Sequence, residues 1–297
     1  MSLSAASLPK NRLAACLILL LCINPFIAAN TEKQLPTPTL SHSLDSPRRM
    51  PPYETLLVDM DGVLAEVSKS YRAAIVKTCH TYGATSVNED VISQWKARGN
   101  ANDDWKLSHN LILDDPNGQK DVTLAQVTET FEQFYQGHGD TPGLYTLETL
   151  IPTKETLQEL RKRSKAGIGV VTGRPRSDCM KFLKQHGLED LIVATYCMED
   201  GPSKPDPTPV KRVCEIMGVE PSKKVVLVGD TPDDIKAAVS AGCSGVGVTT
   251  PEAAEAQEAK GEPHTKAMLS VVMSENGADV VLPPGFAELV DMFAPIE

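Results

Sequence analysis

The 297-residue chain has no CxxC pair, no histidines at metal-ligand spacing and no apolar run long enough to span a bilayer. The first two absences argue against a zinc module and give all six histidines an ordinary structural reading. Seven cysteines occur, and the five outside the leader are Cys79, Cys179, Cys197, Cys214 and Cys243. They are odd in number and widely spaced, which excludes a disulfide framework and fits small buried side chains in a reducing compartment. Positive charge is also short, with Lys+Arg 29 against Asp+Glu 39 and a net charge of −10. That balance argues against broad binding to nucleic acid or acidic membranes. It leaves room for a small anionic substrate, because a metal and a few local cations can reverse the field within a pocket. There is no internal repeat, and a 41% apolar content is enough for a sizeable core.

The amino terminus reads as targeting. Lys10 and Arg12 precede an 11-residue apolar stretch, Leu13–Ile23, and Ile27-Ala28-Ala29 ends it with small residues, as in a secretory signal. A membrane span needs about 20 apolar residues. Residues 1–29 are therefore expected to be a signal or targeting segment, directing the chain to the ER or to a plastid-like organelle and leaving no stable membrane partner once removed, with a signal anchor as the alternative. Residues 30–52, rich in Pro, Ser and Thr, read as a disordered linker. A start at Met50 would instead give a cytoplasmic protein.

What is present begins at Leu56-Leu57-Val58, an apolar run leading into Asp59 and Asp61 at i, i+2, with Gly62 allowing a turn. A short apolar run of this kind reads as a buried strand, and ligands of open α/β sheets gather at strand carboxyl ends. Three further motifs follow in order. Val170-Val171-Thr172-Gly173-Arg174 ends a second apolar run, Ser203-Lys204-Pro205-Asp206-Pro207 precedes a helix, and Val225–Gly229 leads into Asp230-Thr231-Pro232-Asp233-Asp234.

The ordered set resembles the haloacid dehalogenase superfamily, in particular subfamily I with a C1 helical cap, and its phosphoglycolate phosphatase-like subgroup. The resemblance covers roughly residues 54–293. It implies a Mg²⁺-dependent phosphatase acting on a small phosphorylated metabolite through an aspartyl-phosphate. Asp59 would be the nucleophile, Asp61 the general acid and base, and Thr172 with Gly173 a phosphate cradle. Lys204 would be a point charge on phosphate and nucleophile. The implied metal residues are Asp59, Asp61 through its backbone carbonyl, Asp230 and Asp234, the last also suited to orienting a water or a neighbouring group. Two carboxylates facing a phosphate dianion need such a hard cation between them. A sugar phosphomutase and a catalytically silent binding protein on the same fold are the alternatives.

Around the motifs, strands alternate with helices. This pattern predicts an α/β fold, a doubly wound parallel-sheet Rossmann-like core over 53–66 and 149–297. Helical periodicity at Val67, Tyr71, Ala74 and Ile75, and again at Leu107, Leu111 and Ile112, predicts an all-α cap over 67–148. Capping boxes are expected at Ser86–Glu89 and Thr123–Gln126. Val210, Val213, Ile216 and Met217 are expected on one buried helix face, residues 251–262 as helical, and 286–293 as a closing helix. Substrate choice is expected in Arg72, Arg98, Lys106, Arg174 and Arg176, with Trp95 and Trp105 stacking on the substrate and Asn100, Asn102 and Asp103 as a polar loop between them. Oligomeric state is left open by the sequence.

Overall fold

The computed structural model describes residues 52–99, 101–251 and 271–295. The expected targeting segment, nearly all of the linker, Asn100 and almost all of the 251–262 helix lie outside the described residues.

The first strand, β1 (Thr55–Val58), is buried along its whole length, as expected for an interior parallel strand covered on both faces. After the Asp59–Leu64 turn comes β2 (Ala65–Glu66), then a wide π turn over Ser68–Arg72 that runs into α1 (Ala73–Thr81). Three more helices follow: α2 (Glu89–Ala97), α3 (Asp104–Asp114) and α4 (Leu124–Gln136). A small ribbon of β3 (Gly137–His138) and β4 (Thr141–Pro142) leads to β5 (Thr149–Leu150). Strand β5 pairs antiparallel with β2, so the chain leaves for the helical segment and returns from it side by side.

Beyond β5 the chain alternates strictly: α5 (Lys154–Arg163), β6 (Ile168–Val171), α6 (Arg176–Gln185), β7 (Ile192–Tyr196), α7 (Thr208–Ile216), β8 (Val225–Gly229), α8 (Pro232–Ala241) and β9 (Ser244–Val248). Strand β10 (Val280–Leu282) completes a six-stranded sheet in the order β10-β9-β8-β1-β6-β7. Every pairing in it is parallel. The chain winds from β1 to β7 on one side and then crosses to β8, β9 and β10 on the other. That reversal opens a crevice at the carboxyl ends of β6, β1 and β8.

Alternation along β1 divides the core. Leu56 and Val58 join one apolar cluster that continues into Ile75, Leu111, Ile112 and Phe131 of the helical segment. Leu57 faces the other way, with Leu227, Val210, Val213 and Ala238. Sheet and helical segment thus share one continuous apolar cluster.

Four local expectations differ from the structure. Helix α2 is capped by Asn88, whose Oδ1 accepts from the Val91 amide at 3.0 Å, while Ser86 bonds Asp115 instead. The polar loop ends earlier than expected, because α3 begins at Asp104 and takes in Trp105. Of the expected face, Ile216 is 53% exposed where α7 ends, while Val210 and Val213 are buried and Met217 packs against the same cluster. The closing segment is a 3₁₀ helix, Ala287–Met292, following Phe286 at φ 41. The Thr123–Gln126 capping box is present, with the Thr123 amide donating to Gln126 Oε1 at 2.9 Å and the return bond at 3.3 Å.

Candidate active site

Three adjacent strand ends supply the site. Asp59 follows β1, Thr172 follows β6 and Asp230 follows β8, so parallel register alone gathers side chains more than a hundred residues apart. Helix α8 adds Asp234 one turn after Asp230. Asp234 Oδ2 accepts from the Thr231 amide at 2.9 Å and its hydroxyl at 2.7 Å, capping the start of α8. The close approach is backbone-tight: at Gly62 (φ +74) a Cβ would lie 2.3 Å from Asp230 Oδ2.

Lys204 enters from the loop before α7 and ties the acids together. Its Nζ lies 2.7 Å from Asp59 Oδ1 and 2.6 Å from Asp234 Oδ1, and it donates to the Val171 carbonyl at 2.9 Å. Asp234 therefore has both oxygens engaged, one by Thr231 and one by Lys204. Carboxylate oxygens of Asp59, Asp230 and Asp234 lie within 4.8 Å of one another.

Three carboxylates against one ammonium leave two negative charges if all are ionised. At an effective dielectric of about 20, like unit charges 4 Å apart repel by about 4 kcal/mol. The titration of the site reflects that crowding. Burial, only partly offset by Lys204, pushes Asp59 up to about 7, with Asp234 and Asp61 adding to the rise. Burial, then Asp234 and Asp59, holds Asp230 well above the usual carboxylate range. Burial works to lower Lys204, but Asp234 and Asp59 outweigh it and hold the ammonium charged. An all-oxygen donor set this crowded fits a hard divalent cation such as Mg²⁺. Asp59 and Asp230 have the carboxylate capacity to hold it, while Asp234 is committed to Lys204.

Thr172 is buried, and its Oγ accepts from the Arg174 amide at 3.1 Å. Gly173 packs against the helical segment, where a Cβ would come 2.7 Å from the Asn102 carbonyl. Asn102 ties that segment to the core, donating to the Lys204 carbonyl at 2.9 Å and to Asp233 Oδ2 at 3.1 Å.

The remaining expected site residues separate into two groups. A cleft beside Asp61 is lined by Tyr71, Asn102, Asp104, Trp105, Gly173, Arg174, Pro175 and Met198. Trp105 belongs to it, with its indole N–H donating to Glu132 at 2.9 Å. Arg174 also belongs to it, but its guanidinium is turned inward onto Asp61 and Glu148. The others lie outside that lining. Arg72 donates to Ser93 Oγ at 3.0 Å, near enough to the acids to offset a small part of the rise at Asp230. Arg98 is exposed over the Trp95 ring at 5.8 Å, Lys106 pairs with Asp103 at 3.0 Å, and Arg176 pairs with Asp200.

Three residues of this region went unmarked in the sequence. Glu148 is buried against Arg174, and Lys96 pairs with Asp104 at 2.9 Å beside the cleft. Nothing local in the sequence marks any of them, since each acquires its place from a partner on another element.

The comparisons with known proteins show the family and the fold. A family model for haloacid dehalogenase-like hydrolases matches residues 56–248. An imidazoleglycerol-phosphate dehydratase from Phytophthora nicotianae is 46% identical over 242 residues, covering 81% of this chain and 52% of that protein. The chain thus spans about half the length of that relative. A phosphoglycolate phosphatase from Vibrio vulnificus (strain CMCP6) is 31% identical over 196 residues, covering 64% of this chain and 81% of the other. The crystal structure of a predicted phosphoglycolate phosphatase from Haemophilus somnus 129pt superposes with a TM-score of 0.61 at 21% identity, over 81% of this chain and 97% of the other, a likeness of fold. With the motif order, the parallel sheet and the acid cluster at its strand ends in agreement, the chain belongs to the haloacid dehalogenase-like hydrolase family.

Proposed function

We propose that this chain is a Mg²⁺-dependent phosphatase that hydrolyses a small phosphomonoester through an aspartyl-phosphate on Asp59. The observation that carries the reading is the convergence of Asp59, Asp230 and Asp234 around the Lys204 ammonium at the carboxyl ends of β1 and β8. Bound between Asp59 and Asp230, Mg²⁺ would supply the positive charge that lets a phosphate dianion approach these acids.

The chain's own residues would do the rest. Lys204 holds Asp59 in place and keeps one of its oxygens charge-paired. Asp59 attacks phosphorus, and Asp61 gives a proton to the departing ester oxygen, then takes one from water. Thr172 and Gly173, at the end of β6, stand where phosphate oxygens would be cradled. Dividing one displacement into two lowers each barrier, and preorganised charge supplies most of the stabilisation in phosphoryl transfer.

The test is phosphate release from a panel of phosphomonoesters with Mg²⁺. The panel includes phosphoglycolate and imidazoleglycerol phosphate, the compounds in the relatives' names. Release that is abolished by chelation and by Asp59→Asn, with the fold retained, is the expected result. Isomer formation without net phosphate release would point to a mutase. Tight binding of panel members with no turnover would point to a binding protein.

A further inference from the structure

Arg174 is a buried, multiply paired cation where the core meets the helical segment. Its side chain is 1% exposed. Nε donates to Asp61 Oδ1 at 2.6 Å, and Nη2 lies 2.6 Å from the same oxygen as an ion-pair contact. On the other side, Nη1 reaches Glu148 Oε2 at 2.9 Å and Nη2 reaches Oε1 at 3.3 Å, while Nη1 also lies 3.4 Å from the Tyr135 hydroxyl. The guanidinium is held between the rings of Tyr71 at 4.7 Å and Phe182 at 5.4 Å.

Glu148, next to β5, is itself held by groups of the helical segment. Its Oε1 accepts from Ser70 Oγ at 2.9 Å and from the Tyr135 hydroxyl at 3.1 Å. A chain of contacts thus runs from Ser70 and Tyr135 through Glu148 to Arg174 and ends on Asp61. The last link is asymmetric. Both guanidinium contacts fall on Oδ1, and Asp61 itself lines the cleft. Lysine, a point charge on a flexible stem, cannot reproduce this fork.

We propose that Arg174 is a positioning residue that pins Asp61 by one oxygen and presents the other to the leaving group, and that Glu148 seats Arg174 for that task. The proposal rests on the phosphatase reading above. In the step concerned, an Asp59 oxygen bonds to phosphorus as the P–O ester bond breaks. The bond pair stays on the ester oxygen, which takes its proton from Asp61 Oδ2. A buried Arg–Glu pair of purely structural purpose would leave that proton transfer untouched once the protein had folded.

The discriminating measurement is leaving-group dependence in the Mg²⁺-loaded full chain. Single-turnover rates are compared for an alkyl phosphate from the panel and for p-nitrophenyl phosphate, whose phenolate departs without a proton. General acid catalysis contributes about 10²–10⁴-fold. Arg174→Lys is expected to slow the alkyl ester by about 100-fold and the aryl ester by less than about threefold, with KM for both within about twofold of wild type. Glu148→Gln should show the same pattern at smaller size. The double variant Arg174→Gln with Glu148→Gln removes both fully buried charges together, leaves only the part-exposed Asp61 carboxylate unpaired, and should match Arg174→Lys. Equal slowing of both esters, or slowing of neither, overturns the proposal alone. A wild-type chain that releases phosphate from no ester overturns the phosphatase reading and this proposal with it.

Discussion

The ammonium of Lys204 stands 2.6 Å from Oδ1 of Asp234, a residue that also caps its own helix through Thr231. One side chain thereby links the loop before α7, the start of α8 and, through Asp59, the end of β1. The pair is buried on both sides, with side-chain exposures of 3% and 0%.

Replacing Lys204 with Met should therefore cost more than a lost contact. Asp59 and Asp234, both buried, would lose the ammonium that pairs them, and breaking a buried pair costs about 3–5 kcal/mol. Metal-free Lys204→Met is expected to melt well below wild type at pH 8 and closer to it at pH 5.5, where the acids can take up protons. Thermal melts at the two pH values check this; an equal loss at both would place the role of Lys204 outside the charge balance.

Metal-free wild type should lose stability as pH rises. Asp59 is pushed up to about 7 from an ordinary value near 3.8, chiefly by burial, and Asp230 is also raised. A carboxyl raised in the folded state holds a proton that the unfolded chain has released. Its stabilisation is complete below the unfolded value and is lost as pH climbs through the folded one. Melting temperature is expected to fall between about pH 4 and 7 and to be restored at pH 8 by millimolar Mg²⁺, which binds the folded state alone. A flat profile, or no response to the metal, would contradict the arrangement of the acids.

Gly62→Ala is a backbone test of the same cluster. Gly62 has φ +74, and the added Cβ would fall 2.3 Å from Asp230 Oδ2. The variant must shift the loop or swing Asp230 away. Mg²⁺ affinity measured by calorimetry is expected to drop by about tenfold or more, a change of about 1.4 kcal/mol. Unchanged affinity would separate Asp230 from the metal.

Trp105 and Arg98 should part company. Trp105 lines the cleft beside Asp61, while Arg98 lies exposed over Trp95. Trp105→Ala is expected to change relative kcat/KM across the phosphoester panel by about tenfold, and Arg98→Ala by less than about twofold. The reverse ranking would move the substrate to the other side of the 98–103 loop.

Sequence order carried the architecture of the core. Leu56-Leu57-Val58, Val170-Val171 and Val225–Val228 are apolar runs too short for helices, and each ends in a residue type suited to phosphate chemistry. In a parallel sheet such ends lie on one edge, so Asp59, Thr172 and Asp230 come together once the strands are placed. The Thr123–Gln126 cap was legible for a similar reason, since its partners are three residues apart. The Asn88 cap of α2 was missed because Ser86, an equally good local candidate, is claimed by Asp115 across the helical segment.

What the linear chain determined by itself is thus whatever depends on neighbours within a turn or on strand ends sharing an edge: the alternating fold and the identity of the gathered acids. Tertiary structure alone decided the partners. Arg174 turns inward because Asp61, 113 residues away, and Glu148 offer a buried guanidinium the hydrogen bonds it would otherwise lose with water. Asn102 crosses to Lys204 and Asp233 for the same reason, and no periodicity in the sequence encodes which distant polar group will be within reach.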